Sequence, residues 1–397
     1  MIKVCVIGLG YVGLPILLRL SKKYNCVGFD NNFERIKDLN KGNDKFKEFG
    51  KKELNKKSIL YSNSINDLVD CNLFIVTVPT PIYKNKKPDL SHLKDVCLKL
   101  SKIMKKTNII IFESTVYPGL TNNFCIPILE KVSKLKEGKD FFVGYSPERV
   151  NPGDKRHDLK RINKILAYPH SYKQKEILKI YSNLGKEIIF SNNIIEAETA
   201  KVIENIQRDV NIGLINEIYL VCRKLKINFS NVIKLASTKW NFLKFQPGLV
   251  GGHCLPVDPY YLSYISKKNN FKTKITLAGR SINDSMKNEI KNQIENKFLN
   301  INDFKKKKVL ICGLTYKKNV ADLRNSLSLE IYNLLKKKFN HIVGYDPLVD
   351  DKTAKKYKFK NKVKNFNDYD IYVDLVSHDK IKINLQKVNI KKILSVF

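Results

Sequence analysis

The stretch IKVCVIGLGYVGLPILLRLSKKYNCVGFD, residues 2–30, decides the fold. It opens with a short, mostly apolar β-branched run that stops at Gly8. GLGYVG then leads into LPILLRLSKKY, a helical pattern, and NCVGF closes on Asp30. Strand, glycine turn, helix, strand and acid together make a βαβ unit. In that setting the three glycines of GxGxxG have separate roles. Gly8 permits the tight turn, Gly10 lets the backbone reach a pyrophosphate, and Gly13 lets the helix pack on the strand. Tyr11 and Val12 fill the turn, and the helix N-terminus supplies amides for the pyrophosphate. Asp30 falls 17 residues past Gly13, near the spacing of a carboxylate that reads ribose hydroxyls. A carboxylate there repels a 2′-phosphate and favours NAD over NADP, while Arg35 nearby leaves NADP open. GxGxxG alone is a weak signal; strand, helix and acid around it make it a strong one.

Outward from this unit, NLFIVTVP (72–79), NIIIFEST (108–115) and KDFFVGYSP (139–147) read as further strands with helical segments between them. Such alternation predicts a parallel, doubly wound sheet. Near Asn192 the character changes. Residues 194–226 hold no proline and a single glycine, Gly213, with apolar residues at three- and four-residue spacing. One long helix is expected there, about 45–50 Å at a rise of about 1.5 Å per residue. A helix that long needs a partner along its length, so it is expected to be the spine of a homodimer. After more helix to about residue 300, KKKKVLICGLTYK, a helix and HIVGYDP echo the opening, with Asp346 in the place of Asp30. The expected architecture is α/β: two Rossmann-like doubly wound domains, 1–192 and 301–397, joined by a central helical domain, 193–300.

The totals narrow the function classes. At 397 residues the chain should hold two or three domains. A hydrophobic content of 43% with 10% aromatics excludes a disordered chain. The net charge of +35, from 73 Lys+Arg against 38 Asp+Glu, would attract polyanions. The lysines are scattered rather than gathered into a tail, so no specific nucleic-acid partner is expected. Eight cysteines without a CxxC pair or a Cys/His cluster argue against zinc and against a disulfide scaffold, so no metal is expected. The absence of a leader and of a run of about 20 apolar residues points to a cytoplasmic protein with no membrane association.

The chemistry-bearing stretches lie in the second half. PGLVGGHCLPVDPYYL, 247–262, sets Cys254 after Gly251 and Gly252, beside His253, and four residues before Asp258. A buried cysteine is more often inert than reactive; paired glycines for close approach and a nearby acid reverse that reading here. On the long helix Lys201, Asn205 and Arg208 fall at i, i+4 and i+7, one face that flanking apolar residues should cover. Lys317 and Arg324 are cations beside the second glycine-bearing turn and would suit a phosphate.

GLGYVGLP, VPTP (78–81), ESTVYPG (113–119), SPERVNPG (146–153), AETAKVIEN (197–205), GGHCLPVDPYYL (251–262) and TYKKNVADLRNS (315–326) occur in this order. With them the chain resembles the UDP-glucose/GDP-mannose dehydrogenase family over nearly its whole length. RDVNIGLINE, TKWNFLKF, PGLVGGHC and LAGRSIND are closer to the branch that oxidises UDP-N-acetylhexosamines. The resemblance implies a four-electron oxidation of a UDP-sugar C6 alcohol to a carboxylate with two NAD, through a thioester on Cys254. It makes Lys201 and Asn205 oxyanion donors, has Asp258 hold Lys201 or a water, and gives Glu148 and Thr115 a proton-accepting water. Thr80, Pro81 and Thr115 would line the cofactor. Glu148, Arg149, Val150, Arg208, Gly251, Lys317 and Arg324 would line the substrate, and Arg280 would reach the diphosphate, from a partner subunit or its own. UDP-glucose members carry a second carboxylate four residues past Glu148, where this chain has Pro152, so the base is less defined than the nucleophile. KILAYPH also departs from the usual glycine-containing strand end, and the chain ends too soon for a substrate contact from a longer tail.

Overall fold

In the computed structural model, residues 2–45, 48–149, 159–339, 341–386, 388 and 393–395 are described. Contacts divide the chain into two compact units, Met1–Glu204 with Tyr260–Asn270, and Asn205–Pro259 with Phe271–Phe397.

The first unit holds one sheet of β1 (Val4–Ile7), β2 (Cys26–Phe29), β3 (Ile59–Ser62), β4 (Leu73–Val76), β5 (Ile109–Phe112), β6 (Phe142–Tyr145), β7 (Lys164–Ala167) and β8 (Ile188–Ser191). Their order is β3-β2-β1-β4-β5-β6-β7-β8. Every neighbouring pair is parallel except β6 with β7. β1, β2, β4, β5 and β6 are buried at every position. Strands covered on both faces read as continuous apolar runs, which is why the sequence marked them. β3 and β8 are only partly covered and carried no such run. The direction of strand order reverses between β1 and β4, where open α/β sheets form their ligand crevice.

The second unit holds an all-parallel sheet of β9 (Val309–Cys312), β10 (Ile342–Tyr345), β11 (Ile371–Asp374) and β12 (Ile393–Ser395), in the order β10-β9-β11-β12. The echo in the sequence is a structural one. Gly8 and Gly313, after β1 and β9, both take positive φ, +94° and +78°. Asp30 after β2 accepts the Leu9 amide at 2.8 Å, and Asp346 after β10 accepts the Leu314 amide at 2.8 Å. The copies then diverge: Asp346 is fully buried and also binds the Thr315 amide and His378. Asp30 remains partly exposed.

The long helix spans Ile194–Lys224, 31 residues, or about 46 Å. Within the second unit it meets the helix Ile275–Leu299 at two glycines. A Cβ on Gly213 would lie 2.7 Å from the Gly279 carbonyl oxygen, so the one glycine of the long helix marks a backbone-to-backbone approach.

Candidate active site

The glycine turn of the first unit has the shape a dinucleotide needs. Gly8, at positive φ, backs onto the Thr77–Val78 backbone after β4, and a Cβ there would come within 3.1 Å of it. A Cβ on Gly13 would collide with the Gly8 carbonyl. Gly10 faces open space, with nothing within 4 Å of where a Cβ would stand, which is the face left for a ligand. Tyr11 and Val12 sit half-buried in the turn. Asp30 braces it through Leu9 and Asn32. Arg35 bonds the Leu9 carbonyl at 2.9 Å and Asp44 at 2.9 Å, and so braces the turn. Thr80 donates to the Thr115 carbonyl at 2.5 Å, and Tyr261 donates to the Thr80 carbonyl, so VPTP and ESTV are bound together, with Pro81 exposed at the edge. These residues fit NAD.

Beside β5 and β6 the same unit buries a cluster of charge. Glu148 places Oε2 3.3 Å from Lys164 Nζ, and Lys164 lies 2.7 Å from Glu113 Oε2. Tyr181 donates to the other Glu113 oxygen at 2.9 Å. Burial pushes Glu113 up to about 7 against the pull of the Lys164 ammonium. Burial alone would lower Lys164, but the two carboxylates outweigh it and hold it above its ordinary value. The reading from sequence missed Glu113 and Lys164. Their signals were slight: an acid inside the quoted ESTV and one lysine opening the apolar run KILAY. Arg149, expected at the substrate, pairs with Glu204 at 2.7 Å and bonds the Asn163 carbonyl at 3.1 Å. Val150 and Pro152 lie outside the described residues. Lys201 is buried and makes no ion pair with a described residue of its own unit.

In the second unit, Cys254 is the one cysteine of eight that is not buried. Four hydrogen bonds to its backbone groups fix the loop that carries it. Asn216 of the long helix takes the Gly248 amide at 2.9 Å and gives to its carbonyl at 3.0 Å. The Gly252 amide reaches the Arg324 carbonyl at 3.2 Å, and Asn325 gives to the Gly252 carbonyl at 2.8 Å. The glycine pair also meets the protein's own chain closely. A Cβ on Gly251 would lie 2.6 Å from the Asn325 oxygen, and one on Gly252, at φ +91°, would lie 2.8 Å from the Tyr316 ring. The glycines admit the protein's own chain on that side. The Cys254 carbonyl then accepts the amides of Val257 and Asp258 at 2.9 and 3.0 Å, which starts the helix Asp258–Lys268.

Asp258, 1% exposed, accepts from the Asn205 amide at 2.6 Å. Arg208 is exposed, and the covered position one turn past Asn205 is Asp209. Arg280 is fully buried, paired with Asp209 at 2.5 Å and with Asp284 at 3.2 Å. Asn283 adds two bonds to Asp209. Arg324 grips Asp322 through Nε and an Nη while half its side chain stays exposed. Lys317 is partly exposed in the loop after β9. Among the described residues there is no metal-ligating cluster, and no helix is long and apolar enough to cross a membrane.

Family profiles for the NAD-binding, central and UDP-binding domains of the UDP-glucose/GDP-mannose dehydrogenase family match residues 2–185, 195–285 and 310–395. The chain belongs to that family. It is an NAD-dependent UDP-sugar 6-dehydrogenase, an oxidoreductase acting on a CH–OH group. It is 42% identical to a UDP-N-acetyl-D-glucosamine 6-dehydrogenase of Pseudomonas aeruginosa, over 99% of this chain and 94% of the relative. It is 39% identical to one of Salmonella typhi, over 96% and 91%. Among solved structures, a UDP-D-ManNAc dehydrogenase of Pyrococcus horikoshii superposes with a TM-score of 0.86 at 29% identity, covering 99% of this chain and 94% of that one. The doubly wound sheets and the long helix are those of the family.

Proposed function

We propose that the enzyme oxidises the C6 alcohol of a UDP-N-acetylhexosamine, UDP-GlcNAc or its C4 epimer UDP-GalNAc, to the uronic acid. Its product would feed surface polysaccharide synthesis in the cytoplasm. The observation that carries this reading is Cys254: the one accessible cysteine, in a loop tied at four backbone groups, next to the Asn205–Asp258 pair. The UDP-N-acetyl-D-glucosamine relatives at 42% and 39% identity favour the sugar. NAD, when bound, supplies the acceptor for the hydride that each of two oxidations removes.

The first oxidation takes a hydride from C6 and a proton from its hydroxyl, leaving an aldehyde. Glu148, with a water near Thr115, takes that proton. The Cys254 thiol adds to the aldehyde: an S–C bond forms and the thiol proton ends on the former carbonyl oxygen. Loss of a second hydride and of that hydroxyl proton gives a thioester. Water then adds, the C–S bond breaks, sulfur recovers its proton and C6 becomes a carboxylic acid. Lys201 and Asn205 stabilise the oxyanions on the way; Asn205 gives one amide hydrogen to Asp258 and keeps the other. Lys317 and Arg324 would serve the nucleotide end. Functional domains are proposed at 1–192, 193–300 and 301–397.

We also propose a homodimer through the long helix. Leu214 and Val221 are 53% and 50% exposed and lie seven residues apart on one stripe of it. The test of function is a panel of UDP-GlcNAc, UDP-GalNAc, UDP-N-acetylmannosamine and UDP-glucose, with NADH counted per sugar consumed. Two NADH per N-acetylglucosamine or N-acetylgalactosamine substrate is expected. One per sugar overturns the thioester route. A preference for N-acetylmannosamine, which the 32% identity to a UDP-N-acetyl-D-mannosamine dehydrogenase of Pyrococcus horikoshii would explain, overturns the assigned sugar.

A further inference from the structure

The charge cluster beside β6 is larger than a proton acceptor requires. Three successive contacts clasp the segment after β6 to β7. Ser146 donates to the Ile165 carbonyl at 2.6 Å, Lys164 meets Glu148 at 3.3 Å, and Arg149 donates to the Asn163 carbonyl at 3.1 Å. Both Glu148 oxygens are engaged, Oε2 with Lys164 and Oε1 with the amide of Arg149 at 2.7 Å. Burying an ammonium between two carboxylates costs several kcal/mol of desolvation by order of magnitude. Apolar residues of the same volume would serve the fold as well. The side chains of Lys164 and Glu113 are nevertheless 3% and 0% exposed.

We infer that Lys164 is a positioning residue for Glu148: its ammonium anchors one Glu148 oxygen and stands between Glu148 and the second carboxylate, Glu113. The inference rests on the dehydrogenase reading, in which Glu148 takes the hydroxyl proton. Where UDP-glucose members have a second carboxylate, this chain has Pro152; Glu113 is the second carboxylate here, reached through Lys164. The groups facing the cluster are Glu113 after β5, Lys164 on β7, Tyr181 at the end of the helix Gln174–Tyr181, and the Arg149–Glu204 pair reaching the long helix. Glu113 and Glu148 share one cation, so removing either partner changes the charge that the other meets.

The test is the pH dependence of kcat/KM for UDP-GlcNAc oxidation by full-length wild type, Lys164→Met, Glu113→Gln and the double variant. Lys164→Met leaves two carboxylates without a cation. Its acid limb should rise by roughly one pH unit or more, and kcat at neutral pH should fall about tenfold, with KM for NAD unchanged. Glu113→Gln gives the whole ammonium to Glu148, so its limb should move the other way. The double variant should return toward wild type, which a merely structural lysine would not produce. Limbs that coincide with wild type, or that both move in one direction, overturn the inference. If Lys164→Met does not fold, an unmoved limb in Glu113→Gln overturns it by itself. A wild-type enzyme that reduces no NAD on any UDP-sugar overturns the proposed function instead, and this inference with it.

Discussion

Adding one methyl group at Gly252 and the same methyl group at Gly10 should have opposite consequences. Gly252 stands at φ +91°, and an added Cβ would lie 2.8 to 3.1 Å from three atoms of the Tyr316 ring. The left-handed backbone costs an L-residue about 1–2 kcal/mol. Forcing a methyl into a packed ring costs about 1–3 kcal/mol more. Gly252→Ala should therefore lose about 2–5 kcal/mol, a fall in Tm of roughly 5–15 °C. Turnover should fall too, because Cys254 is two residues away on the same tied loop. At Gly10 an added Cβ would have nothing within 4 Å, and the backbone there has no positive φ. Gly10→Ala should melt within about 0.5 kcal/mol of wild type, yet lose at least about tenfold in NAD affinity, or about 1.4 kcal/mol. Circular-dichroism melts of both variants and a fluorescence titration with NAD measure all of this. A Gly252→Ala protein that melts with wild type would show that the glycine pair is not there to admit Tyr316 and Asn325. A Gly10→Ala protein with native NAD affinity would remove the pyrophosphate from that turn.

Cys254→Ser should keep NAD binding and abolish acid formation; acid produced at the wild-type rate by this variant ends the thioester mechanism. Asp30→Ala should weaken NAD binding, both by losing the ribose contact and by freeing the Leu9 amide it braces; an unchanged Kd by calorimetry would misplace the cofactor. Leu214→Glu should shift the sedimentation of the enzyme toward monomer, and a variant that still sediments as a dimer removes the long helix from the interface. Burial raises Glu113 and Glu198 to about 7 and Asp209 to about 6, so the native state holds protons that the unfolded chain has released. That contribution to stability is full below the ordinary carboxylate range and is lost as pH rises through about 6 to 7. Tm should fall between about pH 5 and pH 8, and a Tm that rises across that window contradicts these shifts.

The parts legible in the sequence were those where one physical constraint acts on one short stretch. β1, β2, β4, β5 and β6 are buried on both faces and could only be apolar runs. Gly8 and Gly13 are demanded by a turn that closes within six residues. The contacts that could not be read are those whose partner lies far along the chain. The bonds of Arg35 to Asp44 and to the Leu9 carbonyl leave no local trace. Nor does the pairing of Arg280 with Asp209 of the long helix, 71 residues earlier. The spacing i, i+4, i+7 chose Arg208, and helical drift alone could not say that i+8, Asp209, is the covered position. Lys164 gave only the slight signal of one lysine opening an apolar run, because its meaning lies in two carboxylates that follow other strands.

The long helix explains why so many of these distant partners are polar. Its covered side carries Glu198, Lys201, Asn205, Asp209 and Asn216, all buried. Four of the five are committed to holding another element. Glu198 accepts the amides of Gly119 and Thr121 after ESTVYP. Asn205 holds Asp258, Asp209 holds Arg280 and Asn283, and Asn216 holds Gly248. A buried polar group without such a partner costs about 1–3 kcal/mol, so each of these pairs fixes where a motif-bearing loop can sit. Lys201 is the one cation of these five and has no ion pair with a described residue of its own unit. A buried cation without an ion pair to a described residue of its own unit is the form of charge that a developing oxyanion can use without first breaking a bond. Lys201→Met should on this argument cost kcat far more than Tm, and a variant that loses stability while keeping its turnover would assign the ammonium to the fold instead.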